Sequence, residues 1–81
     1  MARARVYVTL KEGILDPQGK TVLGALKSLG YEEVGDLRIG KYMELALDGE
    51  DRDKLEARLL EMCEKLLANP IIEDYRVELE V

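Results

Sequence analysis

The stretch "RARVYVTLK", residues 3–11, alternates between two kinds of side chain without a break. Ala4, Val6, Val8 and Leu10 fall on one side, and Arg3, Arg5, Tyr7, Thr9 and Lys11 on the other. Successive side chains of an extended chain point to opposite faces, so this period of two fits a strand with one covered face. The C-terminal segment "IIEDYRVELEV" repeats the pattern, with Tyr75, Val77, Leu79 and Val81 opposed by Arg76, Glu78 and Glu80. Two one-faced strands at opposite ends of a short chain require a sheet and an apolar layer to cover it.

Two helical segments are available for that layer. Asp16-Pro17 reads as a helix start, because aspartate accepts from free N–H groups and proline suits the first helical position. Val22, Ala25, Leu26 and Leu29 follow at helical spacing, and Gly30 supplies a stop, which predicts a helix over 17–29. Gly19 and Gly24 weaken it by about 1 kcal/mol each relative to alanine. The second helix is clearer. Asp48 and Asp51 are capping candidates, and Leu55, Leu59, Met62 and Leu66 form a stripe widened by Leu60, Cys63 and Leu67. Asn69-Pro70 ends it.

Between the helices lies "YEEVGDLRIGKYMELALDG". Leu37, Ile39, Met43, Leu45 and Leu47 are all odd-numbered. A two-residue hairpin at Gly40-Lys41 would pair Ile39 with Tyr42 and turn Met43 away from Leu37, so parity disfavours it. A three-residue loop over Gly40–Tyr42 restores the parity, and so does one long strand bent at Gly40. The bent strand is slightly favoured, since it would offer an extended edge to a second subunit, but the count leaves both open.

The order is strand, helix, long strand or hairpin, helix, strand. The expected fold is α+β, a ferredoxin-like β-α-β(β)-α-β unit with an antiparallel sheet and both helices on one face. The other face carries Arg3, Arg5, Tyr7, Glu44, Arg76 and Glu78, polar and of mixed sign.

At 81 residues the chain is expected to be a single domain spanning 1–81. A domain this small buries only about 60% of its unfolded surface and usually needs outside support. Cys63 is the only cysteine and there is no histidine, so neither a disulfide framework nor a Cys/His zinc site can be built. Cys63 reads as a buried small hydrophobe. Self-association, as a dimer or a larger assembly, is the support that remains. The net charge of −5 argues against nucleic-acid binding, and no apolar run reaches the roughly 20 residues of a membrane span. The N-terminus begins a strand rather than a signal peptide, which points to the cytoplasm.

Chemistry finds little to work with. "RIGKYMEL" has one glycine and leads into a strand, whereas a phosphate loop needs several glycines opening a helix. Without histidine, Thr9, Thr21, Ser28 and Cys63 lack the usual base. Glu50-Asp51-Asp53 and Glu73-Asp74 could hold magnesium weakly, but local charge without geometry is thin support for a site. RNA-recognition domains share the topology, but the aromatic motif they stack bases on is missing. Acylphosphatases share it too, and no phosphate-cradling loop lies beside the first strand. Fold alone decides no function.

The residue strings go further. "VYVTLKEGILDPQGKTVLGALKSLGY", "DLRIGKYMEL" and "CEKLLANPIIEDYRVELE" resemble the PurS family, the small subunit of three-component phosphoribosylformylglycinamidine synthase, over essentially all 81 residues. The most specific pieces are Leu15–Gly19, Arg38–Lys41 and Cys63–Pro70. The resemblance implies a subunit of an ATP-dependent, glutamine-hydrolysing C–N ligase in purine biosynthesis. In that family a glutaminase subunit releases ammonia and a large synthetase subunit, using ATP and Mg, consumes it. The small subunit joins the two, assists ammonia transfer, forms dimers or tetramers, and brings no catalytic group or cofactor. No activity is then expected from the isolated chain, and no catalytic, cofactor or metal residue is assigned. Asp16, Pro17, Arg38, Gly40, Lys41, Asn69 and Pro70 are the candidate partner contacts. A ferredoxin-like regulatory module that binds a small molecule is the alternative.

Overall fold

The computed structural model describes residues 1–81. Strand β1 (Ala2–Leu10) takes the centre of a three-stranded sheet because both its edges are paired. It runs antiparallel to β2 (Gly40–Leu47) on one side and to β3 (Glu73–Glu80) on the other, in the order β2-β1-β3. Its inward set, Ala2, Ala4, Val6 and Val8, is fully buried, as the alternation requires. Met43, Leu45 and Leu47 of β2 and Tyr75, Val77 and Leu79 of β3 flank that set, while Val81 is exposed.

Helix α2 (Arg52–Met62) lies on the inward side. Asp51 caps it by accepting from the Lys54 N–H at 3.2 Å. Asp48 takes no part in the cap. Arg52–Glu56 and Glu61–Lys65 pairs, each one turn apart, brace the solvent face. Leu59 and Cys63 point down and are fully buried with Val6 and Val8. Complete burial of a side chain such as Leu59 or Val6 is worth roughly 1.5–3 kcal/mol.

The helix closes in a π-helical turn over Cys63–Leu67, where the Ala68 N–H donates to the Cys63 carbonyl at 3.0 Å. Each such turn takes in one residue more than an α-turn. The stripe is therefore rotated at its end. Leu67 and Ala68 stay against the core, and Leu66, expected in the stripe, is 83% exposed.

There is no hairpin at Gly40-Lys41. Gly40 is the first residue of β2 and pairs with Thr9. The odd-numbered parity holds, with Met43, Leu45 and Leu47 inward and Leu37 and Ile39 half-buried. Pairing starts only at Gly40, however, and residues 31–39 approach it without regular structure. Within the chain β2 is an edge strand, and β1 is the centre.

Helix α1 (Pro17–Ser28) contributes nothing to the core, which holds no residue between Val8 and Met43. It makes no substantial contact with any other element. The chain is correspondingly long, 49 × 24 × 14 Å, with a radius of gyration of 16.2 Å. A compact domain of this length has about 12 Å. The accessible surface is 5977 Å², against about 4,900 Å² for a compact monomer of this mass.

Candidate functional site

Asp16 is the residue on which the N-terminal half turns. Pro17 takes the first helical position behind it. One carboxylate oxygen, Oδ1, accepts from the Gly19 N–H at 2.8 Å and caps α1. The other, Oδ2, accepts from the Ile39 N–H at 3.1 Å, just before β2 begins. The Gly19 N–H first, then the Ile39 N–H, hold the carboxyl below its ordinary range, with a smaller contribution from the Arg38 charge. Gly19 is buried beneath this pair of bonds. A Cβ there would lie 2.5 Å from Asp16 Oδ2 and 2.7 Å from the Leu37 carbonyl oxygen. The glycine is needed for close approach.

Glu73 does the equivalent work on the other side. The Asn69 N–H donates to its Oε1 at 2.7 Å, and Lys41 Nζ sits 3.6 Å from its Oε2. Asn69 Oδ1 accepts from the Ile71 N–H at 3.1 Å and shapes the turn through Pro70 into β3. That turn is tied to the end of β1 by the Lys11 N–H donating to the Ile72 carbonyl at 2.8 Å. Lys11 Nζ also meets Asp74 at 2.6 Å.

Asp16, Pro17, Gly40 and Lys41 thus line one groove of about 420 Å³, with Glu73 on its far wall. Arg38 lies in the adjoining groove with Asp16, Lys11 and Lys20. Asn69 and Pro70 do not line either groove and reach the site only through Glu73. Sequence reasoning missed Glu73 as a link. Its only signal was its position four residues after Asn69, where a side chain can reach back to a turn N–H.

The groove is not built for acid–base work. Both of its carboxylates, Asp16 and Glu73, are committed to backbone N–H groups of neighbouring segments. The acidic clusters do not converge on a cation site. Asp51 caps α2, while Glu73 and Asp74 turn to different partners. Gly24 faces open space on α1, and Gly13, at φ +86°, lines the open groove that holds Arg38.

The outer face of the sheet is a polar lattice. Arg5 pairs with Glu80 at 2.8 Å, and Tyr7 donates to Glu78. Arg76 stacks over the Tyr7 ring at 4.1 Å, and Tyr42 packs beside that ring at 5.2 Å between centroids. Tyr42 and Glu80 join the set expected from the sequence. Each stacked ring is occupied by a neighbour, and the cations Arg5 and Arg76 are matched by carboxylates. Apart from Tyr42, apolar exposure lies elsewhere. Ile14, Leu15, Val22, Leu29 and Tyr31 stand out around α1, and Leu66 and Ile71 beyond α2.

A thin core, structural carboxylates and unfinished apolar surface define a class: a small α+β assembly module whose surfaces matter more than its pockets. Comparison with known proteins agrees. The family model for PurS, phosphoribosylformylglycinamidine (FGAM) synthase, matches residues 3–81. The PurS subunit of Bacillus subtilis is 60% identical over 80 residues, covering 99% of this chain and 94% of that protein. Its crystal structure superposes with a TM-score of 0.88 at 59% identity over all of both chains. A PurS structure from Methanocaldococcus jannaschii, one of the subunits of formylglycinamide ribonucleotide amidotransferase, gives 0.88 at 39% identity over 99% and 96% of the two chains. A chain of the PurLQS structure from Thermotoga maritima gives 0.87 at 28% identity over 99% of both. This chain belongs to the PurS family and is a subunit of phosphoribosylformylglycinamidine synthase, in purine biosynthesis.

Proposed function

We propose that the chain is the non-catalytic bridging subunit of that synthase. It joins the glutaminase subunit to the large synthetase subunit and helps ammonia pass between them. The observation that carries this reading is the pairing of about 1,000 Å² of surplus surface with a groove whose carboxylates are both spent on structure. ATP and Mg then belong to the large subunit, and this chain holds neither. Ammonia in open water protonates and diffuses away. Holding two active sites in register keeps it at high effective concentration, and rigid elements with complementary surfaces are enough for that.

The surplus is also close to one partner's share of a standard interface, about 800 Å². The exposed apolar residues around α1 support self-association, as a dimer or tetramer, before the larger partners join. Asp16, Pro17, Arg38, Gly40, Lys41, Asn69 and Pro70 form or shape the contact end of the sheet. No helix is long and apolar enough to cross a membrane, and a single domain working in the cytoplasm suits the role.

Reconstitution tests the proposal. The isolated chain should show no glutaminase, ATPase or ligase activity. Adding it to the other two subunits should restore glutamine-dependent synthesis and leave synthesis from ammonium salts unchanged. Equal glutamine-dependent rates with and without it would end the bridging reading. Tight binding of an amino acid or nucleotide by the isolated chain in calorimetry would favour a regulatory module instead.

A further inference from the structure

The chain between Asp16 and Ile39 leaves the sheet and returns to nearly the same point. The two bonds of the Asp16 carboxylate mark the departure and the return. No side chain of this excursion enters the core, and α1 makes no substantial contact with another element. What joins the excursion to the sheet is its root. There Gly19 is buried, and the Leu37 carbonyl lies 2.7 Å from where a Cβ of Gly19 would be. Immediately after the root Gly40 locks into the ladder opposite Thr9.

We infer that residues 17–39 form an arm that turns against the sheet as one body, and that the Asp16 carboxylate is the clasp that sets its angle. A helix held by packed side chains is fixed over its whole length. A helix held at one end by two polar bonds and a close glycine has its direction fixed only by those bonds. The arm has internal bonds of its own. The Tyr31 N–H donates to the Leu26 carbonyl at 3.0 Å, and Gly30 turns the chain at φ +102°. Within the chain, these keep the arm in shape while its root alone decides where it points. Val22, Leu29 and Tyr31 ride on it exposed, so the clasp decides where they meet a neighbouring subunit. That last consequence rests on the assembly role proposed above; the hinge does not.

The test is the substitution Asp16→Ser in the full chain. Serine caps a helix about as well as aspartate, so the bond to Gly19 is replaced. Its single oxygen leaves the Ile39 N–H without a partner. Hydrogen exchange at the Ile39 amide should accelerate by about tenfold or more, while amides in the middle of α1 stay within about twofold. Spin labels at Ser28→Cys and Glu44→Cys, diluted with unlabelled chain, should then report a broadened distance distribution. Cys63 is buried and stays unlabelled. Gly19→Ala, which keeps the carboxylate but crowds it, should broaden the distribution in the same way.

An unchanged distribution in both variants would overturn the inference. So would equal acceleration at Ile39 and throughout α1, since Asp16 would then be a helix cap and nothing more. A broadened distribution with undiminished glutamine-dependent synthesis would keep the hinge and remove its role in assembly.

Discussion

Gly40→Ala offers the sharpest check on how the sheet is built. A Cβ at position 40 would sit 2.0 Å from the Val8 carbonyl oxygen and 3.0 Å from both the Val8 carbonyl carbon and Thr9 Cγ2. The first obstacle is backbone of the central strand, so no side chain can swing away to make room. To reach an ordinary contact near 3.4 Å, β2 must move about 1.4 Å at its first residue. Forcing extra atoms into a packed site costs roughly 1–3 kcal/mol. Loosening the terminal ladder bond adds about 0.5–1.5 kcal/mol. Alanine recovers about 0.4–1 kcal/mol by stiffening the unfolded chain. The net loss is about 2 kcal/mol, which for a domain of this size lowers Tm by roughly 8–16 °C. Urea and thermal melts at matched protein concentration measure it. A variant within about 0.5 kcal/mol of the parent, the range of an ordinary surface substitution, would show that the contact between Gly40 and Val8 is not the constraint on this end of the sheet.

Lys41→Ala is expected to separate contact from fold. Lys41 is 60% exposed and its pair with Glu73 is long, so stability should change by less than about 0.5 kcal/mol. A fall in affinity for the partner subunits, measured by calorimetry, would then mark a contact residue. Unchanged affinity would remove Lys41 from the candidate set. Acid should loosen the chain in a defined window. Asp16, Glu61 and Glu80 are held below their ordinary values of 3.8, 4.5 and 4.5, by the Gly19 and Ile39 N–H groups, by Lys65 and by Arg5 respectively. Their contribution is complete above those values and disappears as pH falls through the lower folded ones, so urea midpoints should drop below about pH 4. Tyr7 and Tyr75 run the other way. Hydrogen bonds to Glu78 and Glu64 raise both above 10.0, and their contribution persists below that pH and disappears as pH climbs through the higher folded values. Midpoints flat through both windows would contradict these assignments. Finally, Tm should rise with protein concentration, as it does when folded chains bind one another. A concentration-independent Tm would argue for a self-sufficient monomer.

The strands were legible because period two survives any tertiary context. Ala4, Val6 and Val8 had to share a face, and they share the core. The Asp16-Pro17 helix start was equally legible, since capping is local. Its second bond was not, because Ile39 lies 23 residues away and its arrival depends on how the chain returns. Parity disfavoured the tight hairpin at Gly40, but the reason for a glycine there is the Val8 carbonyl, which belongs to another strand. Leu66 was misplaced because nothing in "CEKLL" announces a π-turn. The sequence marks a stripe, and the bonding pattern decides how far it winds. Glu73 looked like one acid in a loop. Its role came from the turn at Asn69 and the neighbouring Lys41.

The apolar spacing of α1 carries a wider lesson about what periodicity measures. Val22, Ala25, Leu26 and Leu29 announce a helix face meant to be covered, and within the chain Val22 and Leu29 remain exposed. The pattern records that burial happens but not whose atoms supply it. In a self-contained domain the distinction is empty, because the cover can only come from the same chain. Here the core closes without α1, between β1, its two neighbours and α2. Folding and assembly therefore draw on different parts of one short sequence. The sheet and α2 hold the chain in shape, and a polar clasp at Asp16 carries the remaining apolar surface outward. In the bridging role proposed above, the chain gains from that division, because the surface it offers is not also the surface that holds it folded.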